Sequence, residues 1–332
     1  MNRRLLIAEG SILLVAALVL WFVISPPFGG GDDDEGGGNT PVAIDSSDDD
    51  ADGDDDEVGD DQPGDEGAGP EGDGCAPPVT SDFMRGNMLL TFYGSPDAET
   101  LGILGQHEPD DLVGLLNEQA QKYDDLNSFR GVQTGVHMVY ATAQEFEGED
   151  GLYIRRVDDE TLEEYIDFAC ENKLLIFLDL QLGRADMETE IEKLLPYLEQ
   201  THVHLALDPE FAMGPGEVPG EQIGHLDATQ INRAQEILQD FVEERDIPDK
   251  ILIVHQFQDD MITNRNDIGD FQRVRLVIDM DGFGDPETKL AKYQTFSATA
   301  EYGGMKVFFQ LDTPLMGESE ILKARPDLVI YQ

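Results

Sequence analysis

Two carboxylates stand two residues apart at the point where an apolar run of the chain ends. In the stretch HVHLALDPEF the run closes on Asp208 and Glu210, and the Gly/Pro-rich segment 211–226 follows. A carboxylic acid that is partly desolvated and crowded by other carboxylates keeps its proton near neutral pH, while a neighbour stays ionised. Acid/base hydrolysis needs that division of labour, so we predict Glu210 and Asp208 as catalytic residues.

Polar residues close the other apolar runs in the same way. Asp279 and Asp281 in VIDMDGF repeat the spacing of two. Residues two apart on a strand share a side, so such a pair projects its side chains together. We therefore predict Asp279 and Asp281 as further catalytic candidates. The polar and aromatic residues at the remaining run ends are predicted contacts for a substrate: Tyr93, His137, Tyr140, Asp179, Gln181, His255, Gln256, Gln310, Asp312 and Tyr331.

These run ends need a scaffold that brings them together, and the apolar runs indicate one. Eight such runs alternate with segments of helical period from residue 80 onward. Continuous Val, Ile, Leu and Phe is typical of strands buried on both faces, as parallel sheets require. Eight alternations in about 250 residues match an α/β fold, the (β/α)8 TIM-like barrel, whose strands direct their carboxyl ends to one face. An open doubly wound sheet is the alternative, but no G-x-G-x-x-G or P-loop motif follows any run. The runs cover residues 88–94, 134–141, 174–181, 203–211, 251–257, 275–283, 306–312 and 328–332.

Several of the intervening segments carry clear helical signals. Between residues 158 and 173, apolar side chains follow the i, i+3, i+4, i+7 and i+8 pattern of one helix face. Asp227 with Gln230 predicts a capping box, and Asp285 before Pro286 predicts another helix start. The segments after the fifth and seventh runs are shorter. Because the chain stops on its eighth run, we expect the last helix to be absent or replaced by an upstream segment.

The stretch LALDPEF resembles the Asp-x-Glu ending of the fourth strand in family 18 glycoside hydrolases, which are also (β/α)8 barrels. The resemblance implies that Glu210 is the proton donor and that Asp208 orients the acetamido group of the substrate. The chain departs from that family at Ala206, where the signature has a further Asp. More broadly, FLDLQLG, HLALDPEFAM, VIDMDGFG and VIYQ resemble stretches of an exported bacterial barrel family of uncharacterised activity.

This set of residues leaves three functions open. The first is a glycoside-hydrolase-like enzyme acting on an extracellular or envelope glycan, with Glu210 as acid and the other strand-end carboxylates as base, nucleophile or stabiliser. The second is a hydrolase that depends on a divalent metal. The third is a non-catalytic protein that binds a glycan or small molecule at the same place. A Ser nucleophile is disfavoured, because the chain has no G-x-S-x-G motif.

The metal-dependent alternative rests on oxygen ligands. Carboxylates suit Mg²⁺, Ca²⁺ or Mn²⁺, and His137 or His255 would complete such a site. Zinc is disfavoured by spacing, because no H-x-H or H-E-x-x-H sequence lies at a strand end. His202 and His204 do form an H-x-H, but they begin the fourth run, at the end of a barrel that serves stability. The carboxylates concerned are Asp179, Asp208, Glu210, Asp279, Asp281 and Asp312.

The N-terminal part of the chain has the sequence features of a membrane anchor. Two arginines precede the apolar segment 11–24, which has nearly the length of a membrane span and the flanking charge that keeps an N-terminus inside. No small-residue cleavage site follows, so we predict an uncleaved anchor over residues 1–27 rather than a signal peptide. Residues 28–79 are expected to be a disordered Asp/Gly-rich linker, and residues 80–332 the barrel. The barrel would then lie on the extracytoplasmic side of a cell membrane, held by one span.

The chain is strongly acidic throughout. It has 70 Asp plus Glu against 21 Lys plus Arg, a formal net charge of −49. Such a surface repels nucleic acid, which excludes nucleic-acid binding, and it destabilises itself unless salt screens the charges. We therefore expect a halophilic habitat.

The two cysteines leave a choice between a free thiol and a bridge. Cys75 falls in the predicted linker, and Cys170 lies on the apolar face of the predicted helix 158–173. Small buried thiols pack as apolar groups, which favours a free buried Cys170. A Cys75–Cys170 disulfide is the alternative for an exported chain.

Overall fold

The computed structural model describes residues 72–127 and 129–332. Eight parallel strands form a closed barrel in the spatial order β1-β2-β4-β5-β7-β9-β10-β11, and β1 closes it by pairing with both β2 and β11. The predicted (β/α)8 barrel is thus confirmed as a closed sheet. The barrel strands are β1 (Asn87–Gly94), β2 (Gly131–Ala143), β4 (Leu175–Leu180), β5 (Val203–Leu207), β7 (Lys250–Gln256), β9 (Val274–Met280), β10 (Tyr302–Val307) and β11 (Leu328–Tyr331).

Three short strands and seven helices surround the barrel in the described part of the chain. The short strand β3 (Ile154–Arg156) pairs antiparallel with the end of β2, and β6 (Leu226–Asp227) pairs with β8 (Ile262–Thr263). The helices are α1 (Phe83–Gly86), α2 (Pro109–Asp124), α3 (Asp159–Glu171), α4 (Met187–Leu198), α5 (Ala228–Arg245), α6 (Pro286–Phe296) and α7 (Glu318–Ala324).

The predicted helix starts are confirmed by their caps. Asp227 accepts a hydrogen bond from the backbone of Thr229 while Gln230 reaches back to the backbone of Asp227, which completes a capping box at α5. Asp285 caps α6, whose first residue is Pro286. The connection after β7 contains two 3-10 turns and β8 but no α-helix, and α7 has only seven residues. Helical signals were weak in those two segments for this reason.

The seventh barrel strand lies earlier than the sequence predicted. It spans Tyr302–Val307 rather than residues 306–312, because the chain turns after Val307. Asp312 stops the strand by accepting a hydrogen bond from the backbone of Phe308 at 2.9 Å. The Gly303-Gly304 pair hid the true start, since glycine is unusual in a strand interior. A Cβ at Gly304 would lie 2.6 Å from Asp279 Oδ1, so this glycine makes room for that carboxylate.

The amino ends of the strands, the lower end of the barrel, are closed by residues 76–84, the lower plug. Val79, Phe83 and Met84 are buried against side chains that point into the barrel, such as Phe177 and Ile251. The packed part of the chain therefore begins before residue 80, where composition had placed the end of the linker.

A disulfide between Cys75 and Cys170 ties the lower plug to α3, so the predicted free thiol at Cys170 is wrong. Asp73 explains the pairing. Its carboxylate accepts hydrogen bonds from the backbone of Cys75 at 2.9 Å and of Thr201 at 2.7 Å, and these hold Cys75 against the helix. Sequence alone placed Cys75 in a linker and so gave it no fixed neighbour.

Within the described residues, no helix has the length and apolar character that crossing a bilayer requires. The predicted anchor and most of the predicted linker lie outside those residues.

Candidate active site

A cavity of about 560 Å³ opens at the carboxyl ends of the strands, the upper end of the barrel. Its deepest side chains are charged, and its walls are largely aromatic and apolar. The rim comes from the loop after β1 and from the loop after β10. The principal lining residues are Tyr93, Thr142, Gln181, Asp208, Glu210, Phe211, Phe257, Asp281, Phe283, Lys306, Phe308, Phe309, Gln310 and Gln332.

Asp208 and Glu210 enter the cavity from the end of β5. The chain leaves the strand in a 3-10 turn, Pro209–Phe211, which carries Glu210 beyond the sheet. Tyr93 donates a hydrogen bond to Asp208 Oδ2 at 3.3 Å. The backbone of Gly224 donates to the carbonyl of Glu210 at 2.7 Å, which folds the following loop back over the turn. Both carboxyl groups are buried, yet Asp208 Oδ1 and Glu210 Oε2 have no hydrogen-bond partner in the described structure.

Asp281 faces them from the end of β9 and is paired with a buried lysine. Lys306 Nζ lies 2.9 Å from Asp281 Oδ2 and 3.6 Å from the centre of the Tyr93 ring. The ammonium is therefore held between a carboxylate and an aromatic face, both of which favour its charged form. This arrangement fixes one cation at the base of the cavity.

A second layer of polar groups lies directly below, inside the barrel. His255 on β7 is in contact with Asp279 on β9, with 3.0 Å between Nδ1 and Oδ2. Its Nε2 lies 3.4 Å from His137 Nε2 on β2. Asp179 on β4 approaches His137 Nε2 to 3.3 Å. All four side chains are fully buried, and none of them lines the cavity.

The pKa values of the cavity carboxyl groups are shifted in different directions, upward for Glu210 and Asp208 and downward for Asp281. Burial raises the pKa of Glu210 well above its ordinary value, and the charges of Asp208 and Asp281 add to the effect. Burial and the charge of Asp179 raise the pKa of Asp208 to about 7. Burial would also raise the pKa of Asp281, but Lys306 and His255 together bring it below the ordinary value. These shifts favour the protonated form of Glu210 and the ionised form of Asp281.

The two histidines of the lower layer are shifted in opposite directions. Burial would lower the pKa of His255, but the charge of Asp208 and the hydrogen bond with Asp279 raise it to about 10. Burial lowers the pKa of His137 well below its ordinary value, and the charge of His255 lowers it further. The carboxylates around His255 thus favour its protonated form, whereas burial favours the neutral form of His137.

Seven of the ten predicted substrate contacts do not line the cavity, and three of these, His137, Asp179 and His255, form the layer below it. Tyr140 and Tyr331 point outward and pack between the sheet and the helices, where Tyr331 meets Tyr123 and Gln119. Gln256 is held outside the barrel by Arg265. Asp312 pairs with Lys289 at 2.9 Å, in the loop that stops β10. The side chains of these four residues, like that of the buried Asp279, do not line the cavity.

Several site residues were missed by the sequence reasoning. Lys306 was the first residue of the predicted run 306–312 and was not singled out, although lysine is scarce in this chain and a lysine among strand residues is unusual. Lys289 was likewise overlooked in α6, where its ammonium donates to the carbonyls of Gly282 and Lys306. No comparable signal marked the aromatic walls, which are Phe211, Phe257, Phe283, Phe308 and Phe309.

Comparison with known proteins adds little to this picture. Neither a family model nor a curated relative matches the chain. Among solved structures, it is similar to a D-psicose 3-epimerase crystallised in the presence of D-fructose, with a TM-score of 0.36 and 12% identity, over 73% of this chain and 83% of that one. Similarity at this level carries no functional argument, so the barrel assignment rests on the closure of the sheet itself.

Proposed function

We propose that the barrel is a glycoside-hydrolase-like enzyme that acts on a glycan or small sugar in the upper cavity. The observation that carries the proposal is the meeting of three carboxyl groups, Asp208, Glu210 and Asp281, around one cavity with aromatic walls. Acid/base cleavage of a glycosidic bond needs a proton donor and an ionised partner on opposite sides of the bond. The opposite pKa shifts of Glu210 and Asp281 support this division.

In this mechanism Glu210 is the general acid. It donates its proton to the glycosidic oxygen while the bond from that oxygen to the anomeric carbon breaks, and the leaving sugar departs as an alcohol. Burial next to Phe211 and the lack of a partner for Oε2 suit a group that must hold a proton and then release it to a substrate.

Asp281 and Asp208 have separate roles. Asp281, fixed by Lys306, supplies negative charge that stabilises the oxocarbenium-like transition state. Asp208 accepts the proton of the water that attacks the anomeric carbon, and Tyr93 orients the Asp208 carboxylate through its hydroxyl. Exchange with solvent through the open cavity then removes the proton from Asp208 and restores the proton on Glu210.

The walls of the cavity suit a ring with an apolar face. Phe283 and Phe308 meet edge to face with 6.1 Å between ring centres, and Phe309 extends the aromatic surface at the rim. Sugars present C–H faces that pack on aromatic rings, while Gln181 and Gln310 offer amide groups for hydroxyls. A neutral, polyhydroxylated ligand fits this lining better than an anion, because the carboxyl groups outnumber the single lysine.

We also propose that the barrel works outside the cytoplasm, attached to the membrane by residues 1–27. The Cys75–Cys170 disulfide supports this placement, since such bonds persist in oxidising compartments. The acidic composition supports use in high salt.

The test compares the full-length chain with Glu210→Gln on a panel of glycans in concentrated salt, with and without EDTA. Glu221→Gln is the matched control, since Glu221 lies exposed on the same loop outside the cavity lining. We expect hydrolysis by the wild type that Glu210→Gln lowers by about 10²–10⁴-fold in kcat, with the control unchanged. Absence of turnover on the whole panel, or full activity of Glu210→Gln, would overturn the proposal.

A further inference from the structure

Two imidazoles and one carboxylate face each other beneath the cavity. His137 Nε2 and His255 Nε2 are 3.4 Å apart. Asp179 Oδ2 lies 3.3 Å from His137 Nε2 and 3.7 Å from His255 Nε2. The three atoms come from β2, β4 and β7 and form a triangle with nearly equal sides inside the barrel.

The carboxylate of this triangle lacks any hydrogen-bond donor. Asp179 is fully buried, and both of its oxygens are without a hydrogen-bond partner among the residues that the structure describes. Burying a carboxylate without a donor or a cation is costly. The Asp179 carboxylate is directed at the two histidine nitrogens, so a cation that compensates its charge would lie between the carboxylate and these nitrogens.

The negative charges around the triangle also favour a bound cation. Asp208, Asp279 and Asp281 all approach His255. Lys306, which lines the cavity above this layer, is already paired with Asp281. A divalent ion bound through His255 Nε2 would replace the proton there and balance the charge of the surrounding carboxylates.

The carboxylate that contacts the other ring nitrogen of His255 also suits a metal-binding histidine. Asp279 lies 3.0 Å from His255 Nδ1, which leaves Nε2 directed into the triangle. Histidines that bind metals usually donate their other ring nitrogen to a carboxylate, which fixes the tautomer and orientation of the ring. Gly304 makes the room that Asp279 needs for this contact.

We propose that His137 Nε2, Asp179 Oδ2 and His255 Nε2 bind one divalent transition-metal ion of the zinc class. Metal–ligand bonds of about 2.0–2.1 Å in a tetrahedron place the ligands roughly 3.3 Å apart, close to the observed sides of the triangle. Two imidazoles select zinc, cobalt or iron(II) over magnesium or calcium. Asp208 lies beside the triangle, with its Oδ1 3.8 Å from His255 Nε2. This site goes beyond the proposed hydrolysis, because it lies under the cavity and needs no sugar.

The inference is tested by metal binding to the full-length chain. After dialysis against a chelator, the protein is titrated with Co²⁺ and then with Zn²⁺, and the visible absorption of tetrahedral Co²⁺ is recorded. We expect one equivalent to produce the band and Zn²⁺ to remove it. His137→Gln and Asp179→Asn, which preserve volume, should abolish the band, and Asp279→Asn should weaken affinity by about 10–100-fold.

His225→Gln is the matched control, since His225 is an exposed imidazole outside the triangle. It should bind as the wild type does. Cobalt that produces no tetrahedral band, or a band that survives in folded Asp179→Asn, would overturn the proposal and assign any binding to the acidic N-terminal segment. Glu210→Gln should keep the band, so loss of hydrolysis and loss of metal binding are separate results.

Discussion

Both ends of the barrel bury charged side chains, but the protein provides for them differently. At the lower end, Lys250 Nζ donates to the carbonyls of Gln200 at 2.8 Å and Val203 at 3.0 Å. His202 lies between Asp73 and the carbonyl of Ile166. His204 accepts a hydrogen bond from the backbone of Ile251 through Nδ1, while its Nε2 and the Nε of Arg275 have no partner among the described residues.

The upper end leaves many more groups unsatisfied. Across residues 72–127 and 129–332, the buried atoms without a partner include oxygens of Asp179, Asp208, Glu210 and Asp279, and Nδ1 of His137. Buried polar groups are normally paired because an unpaired one costs stability. Proteins tolerate that cost at functional sites. The contrast indicates that the lower end serves stability and that the upper end is prepared for a ligand.

The largest effect is expected from removing the one cation at the base of the cavity. Lys306→Met leaves Asp281 buried without its partner, so we expect the free energy of unfolding to fall by about 3–5 kcal/mol. Lys292→Met is the control, since Lys292 is only half-buried. Chemical denaturation of both variants measures the difference. An equal fall in the free energy of unfolding in both variants would mean that the Lys306–Asp281 pair contributes no more than the packing of an ordinary lysine side chain.

The second largest loss of stability is expected from removing the disulfide at the lower end. Cys75 and Cys170 are 95 residues apart in sequence, and closing a long loop restricts the unfolded chain. Replacing both by Ser should lower the free energy of unfolding by about 2–4 kcal/mol. Because the bridge lies at the opposite end from the cavity, the folded variant should retain the full kcat of the wild type. A large fall in kcat in the folded variant would contradict the separation of the two ends.

The sequence predicted most of the fold because strands buried on both faces leave a direct signature. Seven of the eight runs coincide with barrel strands to within a few residues. The remaining run, residues 306–312, was displaced because the Gly303-Gly304 pair looks unlike a strand interior. Its start depends on a contact with Asp279 from a neighbouring strand, and such contacts are not visible in a local pattern.

The candidate site was predicted only in part, for two physical reasons. Strand residues alternate sides, so an inward His137 requires an outward Tyr140, and an inward His255 requires an outward Gln256. The same alternation excludes Tyr140 and Gln256 from the interior of the barrel. The triangle around Asp179 could not be found from spacing, because its histidines lie on separate strands and meet only when the barrel closes.

A smaller effect is expected at the lower end as pH changes. Burial lowers the pKa of Lys250 to about 7 from its ordinary value of 10.5. Between those values the unfolded chain binds a proton that the folded chain does not, so stability rises with pH over this range. Lys250→Met should remove that rise, at a cost of about 1–3 kcal/mol for the carbonyls left without a donor. Denaturation midpoints measured from pH 7 to pH 10 test the slope, and an identical slope in the variant would contradict the assignment.

The smallest effect, and one of opposite sign, is expected for Glu210→Gln. Burial raises the pKa of Glu210 well above its ordinary value of 4.5. Above pH 4.5 the folded chain therefore holds a proton that the unfolded chain has lost, and this group makes the wild type less stable as pH rises. Gln keeps the shape without that titration, so the variant should gain about 1 kcal/mol on the wild type between pH 5 and pH 8. Its advantage should increase with pH. If the upper cavity is built to bind a ligand, loss of its acid should make the folded protein more stable. A variant that is less stable than the wild type at every pH would instead give Glu210 a structural role, like that of the buried polar groups at the lower end.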